Sequence, residues 1–346
     1  MATWPDILMR LSFDEDLAAS DTAWMLNEVF EGRATDAQLG AFLMGMQTKG
    51  ATATEVFGMV ETMLAHAARI EVPGRAVDIV GTGGDKANTV NISTMASLVI
   101  AGTGVRVVKH GSRAASSTTG SSDVLAALGI NLDLKPPRVV EILEEVGITF
   151  CFAPTFHPAM RLAAPVRKEL GIPTIFNVLG PLTNPAQPDV SVIGAASVHL
   201  APVIAEVLAM RGRDGIVFRN DDGLDELAAT STTTVWEVRG GAVERITVDA
   251  VADLGLHPIP LSALTGGESN ENAAVARSVL AGASGPIRET VIANAAIALA
   301  ADGTLPGTSE GSLVERIRSG MRAAAYAIDS GAADATLQRW AKATQE

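Results

Sequence analysis

The chain has 346 residues, of which 47% are hydrophobic and 19% are charged, as expected for a folded protein with a large core. The net charge of −13 argues against nucleic acid as a partner, since that binding depends on clustered Lys and Arg. It leaves room for a small anionic substrate in a local basic pocket. The single cysteine, Cys151, excludes an internal disulfide framework. Neither a signal peptide nor a run of about 20 apolar residues is present, so the sequence predicts a cytoplasmic protein without a membrane span.

Residues 1–70 carry the pattern of consecutive helices. Ser20 or Asp21 is placed to cap one helix, and Thr35 followed by Gln38 forms a capping-box pattern at the start of another. No alternation typical of a strand occurs in this part of the chain. The sequence therefore predicts an all-helical N-terminal unit.

Beyond residue 75, short apolar runs alternate with helical patterns. This alternation predicts a mainly parallel central sheet with helices on both faces. Two further runs separated by Arg239-Gly240-Gly241 predict an antiparallel hairpin, and Ala-rich helices fill about the last 75 residues. The predicted strands are 76–80, 105–109, 148–152, 190–194, 215–219, 233–238 and 243–248.

Two segments between the third and fourth predicted strands lie near polar motifs. The sequence predicts one helix from His157 to about Leu170. The next segment, 177–185, contains two prolines and a glycine, and it is predicted to be irregular.

A glycine-rich loop, residues 81–85, connects the first predicted strand to a helix. Its three glycines allow several backbone N–H groups to point at one anion, and the following helix start near Asn91 and Ser93 adds a positive dipole end. A dinucleotide fingerprint would need a third glycine where Lys86 stands, and a Walker loop would end in Gly-Lys-Ser/Thr. Phosphate binding is favoured over a simple tight turn.

Three other segments carry charged side chains. Lys109 ends the second predicted strand and Arg113 follows it, and here a solvated basic turn is an equal alternative to phosphate binding. Asp225 and Glu226, with two more aspartates, fit Mg²⁺, although an exposed acidic turn is the more ordinary interpretation. Arg167 could bind a substrate carboxylate or simply end a surface helix.

Taken together, these segments resemble the anthranilate phosphoribosyltransferase family, and the resemblance runs from the N-terminal helices to the C-terminal ones. Each motif is modest alone, but their order and spacing make a chance match very improbable. The motifs that carry the resemblance are residues 81–85, 91–94, 109–117, 157–161, 166–168, 177–185 and 222–226.

The resemblance implies an α/β fold with a small all-helical domain and a large α/β domain that has a mainly parallel central sheet flanked by helices. Residues 1–70 and about 166–189 would form the small domain and the dimer contact. Residues 71–165 and 190–346 would form the large domain. The implied homodimeric enzyme transfers the 5-phosphoribosyl group from phosphoribosyl diphosphate to the amine of anthranilate in tryptophan biosynthesis, and releases diphosphate.

The resemblance also implies roles for individual residues, none of them an activated nucleophile. Donor-site residues would be Gly81, Thr82, Gly83, Gly84, Asp85, Thr89, Asn91, Ser93, Thr94, Lys109 and Ser117. Acceptor-site residues would be Gly81, His110, Ser112, His157, Arg167 and Pro181. Two Mg²⁺ ions per subunit would be held by Ser93 and by Asp225 with Glu226.

Position 112 departs from the family, which typically has Asn there. Because that Asn contacts the acceptor, Ser112 leaves a related aminobenzoate open as the acceptor. Two more distant alternatives share the fold: a pyrimidine nucleoside phosphorylase, and relatives that bind nucleic acid. The intact glycine loop, the Asp225-Glu226 pair and the acidic net charge all disfavour the nucleic-acid alternative.

Overall fold

The structure is a computed structural model that describes residues 2–113 and 119–346. Ser117, one of the predicted donor-site residues, lies outside the described residues. No helix in the described part of the chain is long and apolar enough to cross a membrane.

The predicted helical N-terminal unit is confirmed. Thr35 and Gln38 form the expected capping box at the start of the third helix. The second helix differs from the prediction, because its N-cap is Ala18, whose N–H donates to the Asp21 carboxylate at 3.1 Å. Asp21 thus stabilises the helix from inside its first turn. The four helices are α1 (Trp4–Ser12), α2 (Ala19–Phe30), α3 (Asp36–Lys49) and α4 (Ala53–Ala65).

Within the described residues, seven strands form one sheet in the order β3-β2-β1-β4-β5-β6-β7. The first five strands in this order pair in parallel, and the last two add antiparallel pairs, which confirms the predicted hairpin. The strands are β1 (Val77–Gly81), β2 (Val107–Gly111), β3 (Ile148–Phe152), β4 (Val190–Gly194), β5 (Asp214–Asn220), β6 (Thr232–Arg239) and β7 (Ala242–Asp249).

Helices cover both faces of this sheet, so the predicted fold class is confirmed. The remaining helices are α5 (Ile92–Gly102), α6 (Ser121–Ala127), α7 (Pro136–Val146), α8 (Ala153–Phe156), α9 (Ala164–Leu170), α10 (Phe176–Leu182), α11 (Leu200–Met210), α12 (Ser269–Leu280), α13 (Pro286–Asp302), α14 (Leu313–Asp329) and α15 (Ala332–Ala343). One hydrophobic core surrounds α5 and α13, which are buried on nearly every side. A second core joins α1–α4 to α9–α11 and to the opposite face of the sheet at Ile193 and Val217.

The prediction of a single helix from His157 to Leu170 was wrong. A 3₁₀ turn over Pro158–Leu162 is followed by the separate helix α9. A continuous helix would place Pro165 in its interior, where the ring lacks an N–H and clashes with the carbonyl four residues earlier. In the observed structure Pro165 lies in the first turn of α9, where its missing N–H costs nothing.

The prediction that residues 177–185 are irregular was also wrong, since α10 includes Pro181. The helix has seven residues and Pro181 is its second-last, so the ring removes a hydrogen bond only from the final turn. The Gly180 carbonyl accepts from the Thr183 N–H at 3.3 Å and from His110 at 3.0 Å. These bonds stabilise the end of α10 that the proline weakens.

Candidate active site

The site lies at the carboxyl ends of β1 and β2, where the two predicted loops meet. A cavity of about 610 Å³ lies beside this edge of the sheet. Its opposite wall is formed by the chain from the 3₁₀ turn at residues 158–162 to α10. Gly81 to Gly83 line one side of the cavity. The structure brings all six predicted acceptor-site residues to its wall: Gly81, His110, Ser112, His157, Arg167 and Pro181.

The glycine loop has the backbone conformation that its sequence predicts. Gly83 and Gly84 have φ angles of 65° and 87°, which a side chain rarely tolerates. The N–H of Gly83 donates to Asp225 Oδ2 at 2.8 Å. A β-carbon on Gly81 would lie only 2.3 Å from the same oxygen, so this position must be glycine for the carboxylate to approach the loop.

The start of α5 supplies hydroxyl groups beside this loop. Lys109 donates to the Ile79 carbonyl at 2.5 Å and to Ser93 Oγ at 3.3 Å. Thr94 Oγ1 is buried and finds no hydrogen-bond partner within the described residues. Thr89 pairs with Thr265 in an isolated bridge that holds the loop in place. A hydroxyl and an ammonium group therefore meet where the resemblance places the donor phosphates.

The interpretation of the acidic residues as an exposed turn holds for Asp221 and Asp222 but was wrong for Asp225 and Glu226. Asp225 and Glu226 are only 8% and 7% exposed. Burial raises the pKa of both carboxyls, and the nearby Asp85 carboxylate raises both pKa values further. The negative charges of Asp85, Asp225 and Glu226 therefore repel one another where two of the three side chains are buried, and a bound cation would relieve this repulsion.

These carboxylates fit the share of a Mg²⁺ shell that a protein usually supplies. Asp85 Oδ2 is buried and accepts no hydrogen bond from the part of the chain that the structure describes. In residues 2–113 and 119–346, no group of three or more His, Cys, Asp and Glu side chains is placed so that it could hold a metal ion. Mg²⁺ usually binds through one or two carboxylates and completes its shell with waters and substrate phosphates, so an incomplete protein shell is what this ion requires.

Two histidines face each other across the cavity wall. Their ring centroids are 5.1 Å apart, and burial lowers the pKa of His110 to about 3 and that of His157 to about 4. Both rings are therefore neutral near pH 7. His110 donates from Nδ1 to the Gly180 carbonyl at 3.0 Å, and His157 donates from Nε2 to the Thr183 carbonyl at 2.9 Å. His110 Nε2 is consequently an acceptor, and no described group donates to it.

Arg167 is a partly buried cation on the cavity wall, which excludes its interpretation as a surface helix end. Its guanidinium lies 5.2 Å from the centre of the Phe176 ring. Burial lowers its pKa from the usual value, but a guanidinium remains charged. Within the described residues no carboxylate pairs with it, so it is available to bind an anion.

Sequence reasoning missed the buried network beneath this edge of the sheet. Asp78 is fully buried and accepts from Asn184 Nδ2 at 2.9 Å and from the His110 N–H at 3.3 Å. Burial raises the pKa of Asp78 to about 6 and lowers that of Lys109. An acidic residue inside an otherwise apolar strand was the available signal. Residues that line the cavity but that the sequence did not assign to a binding role include Met63, Phe176 and Asn177.

Comparison with known proteins defines the class of this fold and site. Residues 73–334 match the a/b domain of a glycosyl transferase family, and residues 5–67 match its helical bundle domain. Together these two matches span most of the chain. The protein is therefore a glycosyl transferase of the two-domain type.

Individual relatives show which family within this class the chain resembles. The anthranilate phosphoribosyltransferase of Streptomyces griseus is 55% identical over 99% of this chain and 95% of its own length. The crystal structure of the anthranilate phosphoribosyltransferase from Thermus thermophilus has a TM-score of 0.89 at 38% identity. The match covers 99% of this chain and 100% of the Thermus chain. The structure of the Saccharomyces cerevisiae enzyme in complex with phosphoribosyl diphosphate and Mg has a TM-score of 0.88 at 26% identity. The match covers 99% of this chain and 98% of the yeast chain. This chain belongs to the anthranilate phosphoribosyltransferase family.

Proposed function

We propose that this enzyme transfers the 5-phosphoribosyl group from phosphoribosyl diphosphate to the amine of anthranilate, releases diphosphate, and acts in tryptophan biosynthesis. One observation carries the proposal. A single cavity is lined at one side by the glycine loop and at another by Arg167, a partly buried cation without a carboxylate partner in the described chain. An anionic donor and a carboxylate-bearing acceptor can therefore occupy neighbouring positions.

The donor site is proposed to use backbone N–H groups of the glycine loop together with polar groups at the start of α5. Gly83, Gly84 and Asp85 would contact the ribose and diphosphate. Lys109 supports this placement, since its ammonium group lies within hydrogen-bond distance of Ser93. The full set proposed for the donor is Gly81, Thr82, Gly83, Gly84, Asp85, Thr89, Asn91, Ser93, Thr94, Lys109 and Ser117.

Mg²⁺ is proposed as the metal, with two ions per subunit, one at Ser93 and one at Asp225 with Glu226. The buried, mutually repelling carboxylates support the second position. Mg²⁺ bound there would neutralise charge on the departing diphosphate. Asp225 and Glu226 would hold the ion, and Lys109 would add positive charge on the phosphate side.

The acceptor chemistry needs orientation more than proton transfer. The amine of anthranilate is a neutral aniline, so it can attack C1 of the ribose with little assistance from a base. Arg167 would bind the carboxylate with two parallel hydrogen bonds and hold the ring across the cavity. His110 Nε2, which must be an acceptor, could receive an amine N–H without taking the proton, because its pKa is about 3.

A panel of aminobenzoates tests this proposal and its main alternative together. Diphosphate release is measured with anthranilate, its 3- and 4-amino isomers and ring-substituted derivatives. Release with anthranilate at the highest kcat/KM supports the proposed function. A clear preference for a substituted aminobenzoate would favour the alternative acceptor suggested by Ser112, and phosphorolysis of thymidine without diphosphate release would indicate a nucleoside phosphorylase.

The homodimer and the domain division remain proposals. Met9 on α1 and Phe13, which directly follows α1, are 58% and 69% exposed, and Met44 on α3 is 41% exposed, so the helical unit presents apolar side chains suited to contact with a second copy. Val166 and several residues of α10 share a core with α1–α4, which supports assigning residues 166–189 to the small domain. Sedimentation velocity of the wild type and of Phe13→Asp tests the dimer. Cytoplasmic localisation stays a prediction from the sequence.

A further inference from the structure

From a ring of hydrogen bonds behind the donor site, we infer that Asn272 is a positioning residue that fixes the orientation of the Asn91 side-chain amide. The inference rests on the proposed function, in which Asn91 contacts the donor phosphates. Asn272 lies in the first turn of α12 and is 3% exposed. It is 181 positions away from Asn91 in the sequence.

The ring contains four hydrogen bonds. Asn272 Oδ1 accepts from the Gly267 N–H at 2.8 Å, and Asn272 Nδ2 donates to Asn91 Oδ1 at 2.9 Å. Asn91 Nδ2 then donates to the Thr119 carbonyl at 3.2 Å. Thr119 Oγ1 donates to the Gly267 carbonyl at 2.9 Å and closes the ring. The ring therefore connects the start of α5, the start of α12 and the chain that follows β2.

The backbone determines the direction of every bond in this ring. The Gly267 N–H can only donate, so the atom of Asn272 that faces it must be oxygen. The NH₂ group of Asn272 must then face Asn91, and Asn91 must present its own oxygen. The remaining NH₂ group of Asn91 is thereby turned away from α12, toward Thr119. A flipped Asn91 amide would place an oxygen there instead, which would repel a phosphate.

Two further contacts show that the surrounding backbone is fixed. The Gly266 N–H donates to the Asn88 carbonyl at 2.7 Å, and the Val90 N–H donates to the Leu264 carbonyl at 2.9 Å. A β-carbon on Gly266 would lie 2.9 Å from the Thr89 carbonyl oxygen, so glycine permits this close approach. Asn91 is also the N-cap of α5, but its side chain accepts no hydrogen bond from that helix. Its orientation therefore depends on Asn272, which faces Asn91 Oδ1, and on the Thr119 carbonyl, which accepts from Asn91 Nδ2.

Two substitutions at position 272 distinguish positioning from simple packing. Asn272→Asp still accepts from Gly267 but turns a carboxylate oxygen toward Asn91 Oδ1, and a flip of the Asn91 amide that relieves this repulsion breaks its bond to the Thr119 carbonyl. Asn272→Ala removes both bonds of residue 272 but leaves the Thr119 carbonyl to orient the Asn91 amide. We expect the Michaelis constant for phosphoribosyl diphosphate to rise about tenfold in Asn272→Asp and about threefold in Asn272→Ala. The constant for anthranilate should change less than twofold in both.

A purely structural role gives the opposite order. Asp is nearly isosteric with Asn and keeps the bond to Gly267, whereas Ala leaves a cavity and breaks two bonds. If Asn272→Ala raises the donor constant more than Asn272→Asp does, or if both substrate constants rise together, the inference is overturned.

A matched control separates geometry from added negative charge. Asn270 lies in the same turn of α12 and is exposed, so Asn270→Asp adds the same charge close by. We expect this variant to change the donor constant less than twofold. An effect as large as that of Asn272→Asp would show that charge alone acts, and would contradict the inference.

A double-mutant cycle with Asn91→Ala gives the decisive result. If Asn272 acts through Asn91, the tenfold effect of Asn272→Asp should fall below twofold in the Asn91→Ala background. An undiminished effect overturns the inference. Failure of the wild type to release diphosphate from phosphoribosyl diphosphate and anthranilate would instead overturn the proposed function. The two failures are therefore distinguishable.

Discussion

Removal of the Arg167 guanidinium should weaken acceptor binding with little loss of stability. Arg167 lines the cavity, and no carboxylate of the described chain pairs with it. A hydrogen bond to a charged group contributes about 1.5–3 kcal/mol, which corresponds to roughly a 10- to 150-fold change in a binding constant. We expect Arg167→Ala to raise the Michaelis constant for anthranilate by that factor. The constant for phosphoribosyl diphosphate should stay within about threefold.

The stability of the unliganded variant should change little, for a reason specific to this site. The Arg167→Ala variant loses the contact between the guanidinium and the Phe176 ring, which contributes about 0.5–2 kcal/mol. It also loses the cost of keeping a partly buried cation without a counter-ion. Because these two effects oppose each other, we expect the free energy of unfolding to change by less than about 1 kcal/mol.

Steady-state diphosphate release at saturating donor, combined with urea denaturation, measures both quantities. Arg167→Lys should recover only part of the loss, since an ammonium group cannot bind a carboxylate with two parallel bonds. Lys168→Ala is the matched control, because Lys168 follows directly on α9 and is exposed. Aniline, which lacks the carboxylate, should be an equally poor substrate for the wild type and Arg167→Ala. An unchanged anthranilate constant in Arg167→Ala would remove this residue from the acceptor site.

Three further predictions follow from the same site. Gly84→Ala places a side chain at a φ of 87°, so calorimetry should show weaker binding of phosphoribosyl diphosphate, and normal binding would mean that the loop is only a turn. Asp225→Asn with Glu226→Gln should abolish Mg²⁺-dependent turnover. Because folding raises the pKa of both carboxyls, their stabilising contribution is complete below the unfolded pKa of about 4 and is lost as the pH rises through the higher folded values. Without Mg²⁺ the double variant should therefore gain stability over the wild type between about pH 4 and pH 7 in urea titrations, and parallel pH profiles would contradict this. Ser112→Asn should lower kcat/KM for ring-methyl and ring-hydroxyl anthranilates relative to that for anthranilate. The change in this ratio should correspond to a free energy of about 0.5–1.5 kcal/mol, and an unchanged ratio would show that position 112 does not select the acceptor.

Local sequence patterns determined much of the fold. The capping box at Thr35 and Gln38 involves residues three positions apart, and the hairpin at Gly240 and Gly241 depends on neighbouring strands. Alternating strand and helix patterns were sufficient to predict a mainly parallel sheet. The same local information placed the glycine loop at the end of β1. Such features can be read from the sequence because the interacting residues are close together along the chain.

The tertiary structure alone decided which polar side chains are buried and what they contact. Asp225 looked like part of an exposed turn, yet it accepts from Gly83, which lies 142 positions earlier. The break at Pro165 follows a local proline effect that the prediction overlooked, whereas the short helix around Pro181 forms against local propensity and depended on packing. Asn272 gave no signal at all in the sequence, because its role depends on one backbone N–H and on a partner 181 positions away. Burial and hydrogen-bond direction are properties of the assembled fold, and they determine the chemistry of this site.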